Sequence, residues 1–215
     1  LTTNGVLVDE YPQVFKKAGI RSLNLSLDSL NRATFQKIVQ RDLFEKVKQN
    51  IDLLLSENFH LKLNMVVMKG INDHEIPAFV ALTKNTNLHV RFIEYMPFAG
   101  NNWELNKVVS EAEVLAQVAT YSTFEKLSDE SHSTARAWKA TGHNGTFAVI
   151  STMTHPFCSS CNRLRLTADG KMKNCLFSTT ESDLLSVLRS GGDLETVIRT
   201  NLFGKKAARG GQMEG

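Results

Sequence analysis

The chain has 215 residues, 42% of them hydrophobic, and its 25 Lys and Arg against 22 Asp and Glu leave a net charge of +3. That length and apolar content support a buried core in one large unit or two small ones, while so slight a positive excess excludes an electrostatic case for nucleic acid. No apolar run approaches the ~20 residues of a membrane-spanning helix, no signal peptide opens the chain, and neither a low-complexity tract nor a short internal repeat occurs.

Leu1-Thr-Thr-Asn-Gly5 reads as the end of a strand entering a turn. Residues 21–28 alternate Leu23, Leu25 and Leu27 with Asn24, Ser26 and Asp28, which predicts a strand with one apolar and one polar face. Phe44, Val47, Ile51 and Leu54 or Leu55 recur at helical spacing within a helix expected over 43–58. A second strand is expected over 60–68, and Asn72-Asp-His-Glu75 has the form of a capping box opening a helix through Lys84, with His74 and Glu75 in its first turn. Residues 88–96 form a third strand, and Ser110-Glu-Ala-Glu113 caps a helix to about Ala119, with Glu111 and Glu113 as capping charges. Such a succession implies parallel strands joined by right-handed crossovers. Three units of this kind cannot close a barrel.

Past residue 120 the pattern changes to short β-like pieces at 124–127, 135–139 and 146–151, with Gly142-His-Asn-Gly145 as a turn. Residues 180–203 read as two helices separated by Ser190-Gly-Gly-Asp193. Phe98-Ala-Gly-Asn-Asn-Trp103 has loop chemistry, so a domain boundary is expected between Pro97 and Ser110, giving units 1–100 and 101–215.

All three cysteines lie in one run, Cys158-Ser-Ser-Cys161 and then Cys175. An odd number of thiols cannot be closed into disulfides, so metal or iron–sulfur ligation in a reducing compartment is the leading reading. Three thiolates leave a fourth position. His155, three residues before Cys158, would close a Cys3His zinc site, whereas an open position would let a metal touch substrate. In Arg163-Leu-Arg-Leu-Thr167, alternation sets both guanidinium groups on one strand face. Two forks there suit a polyphosphate held bidentately, or they serve as plain counter-charges to the thiolates.

Other polar residues sit within or at the ends of strands. Ser26 on its own is a strand-end capping residue. Lys62, amid Leu61, Leu63, Met65 and Val66, either snorkels to solvent or meets an anion. Arg91 lies in an apolar strand where an unpaired guanidinium would cost several kcal/mol, so it needs Glu94, Asp28 or a ligand as partner. Met96 alone is core filling. His132 and His143 lie in polar turns without ligand spacing, and Lys16-Lys17, Lys205-Lys206 and Arg209 have the form of solvated basic clusters.

The run Phe157-Cys-Ser-Ser-Cys-Asn-Arg-Leu-Arg-Leu-Thr-Ala-Asp-Gly-Lys-Met-Lys-Asn-Cys-Leu-Phe177 resembles the C-terminal cluster motif of the MoaA family, the radical-SAM GTP 3',8-cyclases of molybdenum cofactor biosynthesis. Leu1-Thr-Thr-Asn-Gly5, Asn24-Leu-Ser-Leu-Asp-Ser-Leu30, Lys62-Leu-Asn-Met-Val-Val-Met-Lys-Gly-Ile-Asn-Asp73 and Val90-Arg-Phe-Ile-Glu-Tyr-Met96 resemble further segments in family order, so the likeness covers essentially the whole chain. It implies an α/β fold: the later strands of a partial (β/α)6 radical-SAM barrel, then a smaller α+β C-terminal region carrying an auxiliary iron–sulfur site. It also implies that Cys158, Cys161 and Cys175 hold an auxiliary [4Fe–4S] cluster with one iron open toward guanine. Thr2 or its neighbour Thr3, Lys62, Arg163 and Arg165 would bind GTP. Ser26, Arg91 and Met96 would contact S-adenosylmethionine, Met96 by packing on its adenine.

In that family, a lyase by reaction class, a second [4Fe–4S] cluster on an N-terminal Cx3CxxC motif reduces S-adenosylmethionine to a 5'-deoxyadenosyl radical. The radical takes hydrogen from C3' of GTP, and the ribose carbon attacks C8. The resemblance further implies a reductant protein, a downstream cyclic pyranopterin monophosphate synthase, a homodimer and a cytoplasmic setting. No cysteine precedes Cys158 and the first residue is Leu1, so the chain is expected to be a piece of a longer polypeptide, inactive alone. Gly210-Gly211 is followed by Gln212-Met-Glu-Gly215, where family members end on a double glycine. Two rivals stand beside this reading: another radical-SAM enzyme with an auxiliary cluster, such as a peptide-modifying maturase, and a non-catalytic zinc-binding module.

Overall fold

Alternating leucines build the first layer. In the computed structural model, which describes residues 1–98 and 100–211, β1 (Thr2–Thr3), β2 (Ser22–Ser26), β3 (His60–Val67) and β4 (His89–Glu94) run parallel in that order. The tail Gln212 to Gly215 lies outside the described residues. Leu23, Leu25, Leu61, Leu63, Met65, Val90 and Phe92 are all buried on one face of the sheet. Three helices, α3 (Phe44–Ser56), α4 (Ile76–Ala81) and α5 (Glu111–Tyr121), supply Val47, Ile51, Leu54, Phe79, Val80, Val114 and Val118 to the same core. Fully burying each such side chain contributes about 1.5–3 kcal/mol. Two further helices, α1 (Pro12–Lys17) and α2 (Arg32–Val39), bury little: α1 nothing, α2 only Phe35.

The sheet does not stop at β4. After α5 come β5 (Phe124–Lys126), β6 (Arg136–Ala140) and β7 (Thr146–Ile150), and the final order is β1-β2-β3-β4-β7-β6-β5. β7 lies parallel to β4, with His89 opposite Thr146 and Ile93 opposite Ile150, while β5 and β6 close the sheet antiparallel. Residues 101–155 therefore share a core with residues 1–100, because Trp138, Ala140, Phe147 and Val149 continue the apolar face. The compact units are Leu1–His155 and Pro156–Gly215, a division later than the boundary expected near residue 100.

The turn before β7 explains its docking. A Cβ on Gly145 would lie 2.2 Å from the Leu88 carbonyl oxygen, so only glycine permits this approach. Gly145 N–H donates to Thr83 O at 2.9 Å and Thr146 N–H to Leu88 O at 3.0 Å. His143, expected in a polar turn, is buried, with Nδ1 2.8 Å from Thr83 Oγ1 and its ring edge-on to Tyr121.

Two similar-looking cap sequences behave differently. Ser110 and Glu113 form a reciprocal capping box at the start of α5. Asn72, expected to act likewise, turns inward: its Oδ1 accepts from Met68 N–H at 2.7 Å, and its amide donates to Asp28 O at 2.7 Å and Val66 O at 2.9 Å. Glu75 is buried too, accepting from Ser29 Oγ and Leu30 N–H, both at 2.6 Å. Buried peptide groups of the segment after β2 need partners. These two side chains supply them.

The second unit is a small antiparallel sheet, β8 (Arg165–Leu166), β9 (Lys171–Lys173) and β10 (Ser182–Asp183) in the order β10-β9-β8, with α6 (Leu184–Arg189) and α7 (Leu194–Phe203). Asp183 and Asp193 cap the helices by accepting from Ser186 and Thr196 N–H. β8 is only two residues long, so Arg163 precedes it and the shared strand face expected for Arg163 and Arg165 is not set by pairing. The fold is thus mixed α/β with a largely parallel main sheet. Among the described residues no helix is long and apolar enough to cross a membrane.

Candidate functional site

The polar face of the main sheet gathers the candidates of the first unit. Residues directly opposite in neighbouring strands share a face. One row reads Thr2, Asn24, Lys62, His89, Thr146, and the row two residues on reads Ser26, Asn64, Arg91, Ala148. Asn24 Nδ2 donates to Thr2 Oγ1 at 3.1 Å. Thr3 pairs with Leu25 on the other face, and its hydroxyl accepts from Gly5 N–H, so Thr2 is the threonine that belongs to this row.

Arg91 has neither of its expected protein partners. Its Nε donates to Asn64 Oδ1 at 2.7 Å. Glu94 lies buried on the opposite face, accepting from the N–H groups of Met153 at 2.6 Å and Thr154 at 3.0 Å, and from the Thr154 hydroxyl. Asp28 accepts from Val66 N–H at 2.8 Å, and burial pushes its carboxyl up from the usual range. Burial also pushes the Arg91 guanidinium down. His89, 2.7 Å from Thr146 Oγ1 through Nδ1, is pushed down to about 4, first by burial and then by Arg91 and Lys62. A half-buried face carrying a lysine, an arginine and a neutral imidazole is suited to an anionic, hydrogen-bonding ligand. Met96 follows β4, half-buried, its carbonyl accepting from Asn101 Nδ2 at 2.7 Å. Ser26 is exposed at the end of β2.

In the second unit Cys158 opens a short 3-10 turn that Cys161 closes, and Cys175 follows β9. All three thiols are free and half-buried. Arg209 backbone N–H donates to Cys158 Sγ at 3.4 Å, and Lys205 Nζ to Cys161 Sγ at 3.5 Å. Burial acts to raise the Cys161 thiol, but the Arg163 N–H, the Lys205 ammonium and the Arg163 side chain together hold it below its ordinary value. The Arg163 guanidinium lies over the Phe157 ring at 5.7 Å. Arg165 is exposed on β8.

Thiols with N–H donors aimed at their sulfurs have the donor chemistry of an iron–sulfur site. Among the described residues no three His, Cys, Asp or Glu side chains form a group able to hold a metal ion. The three cysteines supply the ligand type and hydrogen-bonded surroundings of such a site, and the structure does not gather them into one. Thr2, Ser26, Lys62, Arg91 and Met96 belong to one compact unit, and Cys158, Cys161, Arg163, Arg165 and Cys175 to the other.

Residues 88–210 match the family model Molybdenum Cofactor Synthesis C. The chain belongs to the Molybdenum Cofactor Synthesis C family. Residues 1–83 match the Radical SAM superfamily model. Relatives include molybdenum cofactor biosynthesis protein 1 of Bos taurus, 43% identical over 93% of this chain and 32% of its own length. The mitochondrial GTP 3',8-cyclase of Arabidopsis thaliana is 40% identical over 100% of this chain and 56% of its own. The GTP 3',8-cyclase of Peptoclostridium acidaminophilum is 41% identical over 95% and 63% respectively. The chain thus spans from about a third to under two thirds of these relatives. A solved structure of TYW1 with a lysine-pyruvate adduct bound overlaps 60% of this chain and 42% of that one, at 19% identity and a TM-score of 0.43.

Within the Molybdenum Cofactor Synthesis C match fall Arg91, Met96, the cysteines and the arginines beside them, and within the radical-SAM match fall Thr2, Ser26 and Lys62. Sequence reasoning missed Asn64 and His89, which alternation places two residues from Lys62 and Arg91 on the same face. It also missed Lys205 and Arg209, whose contacts with the cysteine loop have no local signal.

Proposed function

We propose that this chain is the substrate-binding and auxiliary-cluster part of a GTP 3',8-cyclase of molybdenum cofactor biosynthesis. The observation that carries the proposal is the polar sheet face, where Thr2 and Lys62 stand in one row and Ser26 and Arg91 in the next, in a chain of this family. Lys62 offers an ammonium to a polyphosphate, and Arg163 and Arg165 offer planar forks that match phosphate oxygens bidentately. Arg91, braced through Nε by Asn64, presents the rest of its fork to S-adenosylmethionine, with Ser26 and Met96 completing that site. Half-burial strengthens each charge-assisted bond by limiting water. Cys158, Cys161 and Cys175 would hold the auxiliary [4Fe–4S] cluster.

Bound S-adenosylmethionine and its own cluster would supply the one-electron chemistry that converts GTP to (8S)-3',8-cyclo-7,8-dihydroguanosine 5'-triphosphate. This chain's task is orientation: fixing the phosphates fixes the ribose. Three cysteines supply thiolates for one such site, so these 215 residues alone are expected to bind GTP weakly if at all and not to turn it over. A reductant protein, a cyclic pyranopterin monophosphate synthase acting downstream, a homodimer and a cytoplasmic setting belong to the same proposal.

The test is anaerobic reconstitution followed by iron and sulfide analysis and electron paramagnetic resonance with and without GTP. About four irons with matching sulfide, and a signal altered by GTP, are expected. One zinc without sulfide, or a cluster signal indifferent to GTP, would refute the proposal.

A further inference from the structure

Three loops enter neighbouring strands of the main sheet at the end away from Ser26 and Met96: the turn from α3 into β3, the segment between α4 and β4, and the turn into β7. They enclose a cleft of about 530 Å³ within the first compact unit. Asn58, Asn85, Asn87 and Asn144 line it and are exposed, whereas Leu55 is half-buried and Phe59 buried, so the cleft has a polar rim and an apolar floor.

The loop backbones are pinned. Asn144 N–H donates to Lys84 O at 3.1 Å and Gly145 N–H to Thr83 O at 2.9 Å, tying the third loop to the second. Thr86 Oγ1 donates to Leu82 O at 2.6 Å and accepts from Leu88 N–H at 3.4 Å. Asn58 N–H donates to Leu55 O at 3.0 Å, closing the end of α3.

Asparagine is favoured in loops for two structural reasons: it tolerates a left-handed φ, and its side chain bonds to nearby backbone. The first accounts for Asn58, whose φ is +59°, and for none of the other three. The second accounts for none of the four, because their carboxamides have no hydrogen-bond partner among the described residues. Elsewhere in the chain such side chains are engaged, those of Asn50, Asn64, Asn72 and Asn101 among them. Asn85, Asn87 and Asn144 thus converge on one space without a structural task.

Their chemistry selects the ligand. No Asp, Glu, Lys or Arg lines the cleft, so a charged molecule would enter without a counter-charge. A carboxamide sets a donor and an acceptor side by side in one plane, the complement of a nucleobase edge, as in the bidentate pairing of Asn with adenine N6 and N7. Leu55 and Phe59 offer apolar surface to a ring, and the volume falls in the range of small-molecule sites, about 300–1,000 Å³.

We infer that this cleft is a separate binding site for the base of an uncharged nucleoside, held by the carboxamides of Asn85, Asn87 and Asn144. It uses neither Lys62 nor Arg91, and it does not depend on the function proposed above.

The experiment titrates the isotope-labelled 215-residue chain with adenosine, cytidine and uridine in turn while amide chemical shifts are followed, with glucose as an uncharged ligand that lacks a base. Saturable shifts at residues 58–60, 84–88 and 143–146 are expected with at least one nucleoside and not with glucose. Asn85→Ala and Asn144→Ala should each weaken that binding about tenfold, the loss of one good base contact. Both positions are exposed, so the unliganded melting temperature should stay at the wild-type value. Asn87→Asp, which exchanges the donor for a charge, should weaken it as well. No saturation with any of the three nucleosides, or equal binding of glucose, overturns the inference. Unchanged affinity in all three variants overturns it too, as do shifts centred on Arg91 and Met96, which would put the nucleoside on the polar sheet face instead.

Discussion

The imidazole of His89 shares a 2.7 Å hydrogen bond with the hydroxyl of Thr146, joining β4 to β7 at the register position whose other neighbour is Lys62. Burial and the two cations on this face keep the ring neutral, its pKa down at about 4. Above the unfolded value of about 6.5 the ring is neutral in both states, and the full stability is present. Below it the unfolded chain takes the proton first, so stability falls progressively toward pH 4, by up to about 3 kcal/mol. Urea denaturation between pH 7.5 and 4.5 should show this slope, and His89→Asn should flatten much of it. His143, also pushed down by burial and by Lys84, adds to the slope in the same direction. Superimposable profiles for wild type and His89→Asn would refute the assignment.

Glu94 gathers two backbone N–H groups and a hydroxyl from residues 153 and 154 while itself fully buried. Replacing it with Ala strands those donors, each costing about 1–3 kcal/mol if left unsatisfied. Glu94→Ala should lose about 3 kcal/mol of stability, Glu94→Gln less. Hydrogen exchange at Met153 and Thr154 should accelerate more than in α3, and uniform acceleration would argue against a local role.

Gly145 and Gly142 offer a matched pair. At Gly142 the φ is +75° but a Cβ would meet nothing, whereas at Gly145 it would strike the Leu88 carbonyl. Gly142→Ala should cost about 1 kcal/mol through backbone strain. Gly145→Ala should cost about 2–4 kcal/mol, since main chain on both sides must move. Equal midpoints in thermal unfolding would contradict the close approach.

Lys62 and Arg91 separate by ligand. Lys62→Met should weaken GTP binding about tenfold or more, the usual loss of a charge-assisted bond, and spare S-adenosylmethionine. Arg91→Met should do the reverse. Calorimetry with each ligand decides, and equal losses for both ligands in both variants would mean a general collapse of the face.

Much of the fold was legible because burial imposes a period. β2, β3 and β4 alternate cleanly, α3 carries a stripe, and the α5 capping box is literal. α1 and α2 escaped notice since they bury one residue between them, leaving no stripe to read. Asn72 looked like a cap because caps and tertiary hydrogen bonds use the same short side chains. The strands after residue 120 were recognisable as strands, but nothing local says that β7 returns to lie beside β4. At the site, Lys62 and Arg91 stood out as charges in apolar strands. Asn64 and His89 did not, being uncharged, and Lys205 resembled any solvated lysine until the chain folded back on Cys161.

Among the described residues of the second unit Met172 is the one buried apolar side chain, and neither α6 nor α7 encloses any residue. Some sixty residues with so thin an interior cannot rely on oil-like cohesion and need a staple. Thiolate ligation would provide it, coupling the arrival of iron to the ordering of the polypeptide. Were the proposed cluster bound there, its insertion would act as a maturation checkpoint: chains lacking iron would present this module to proteases more readily than chains that had acquired it.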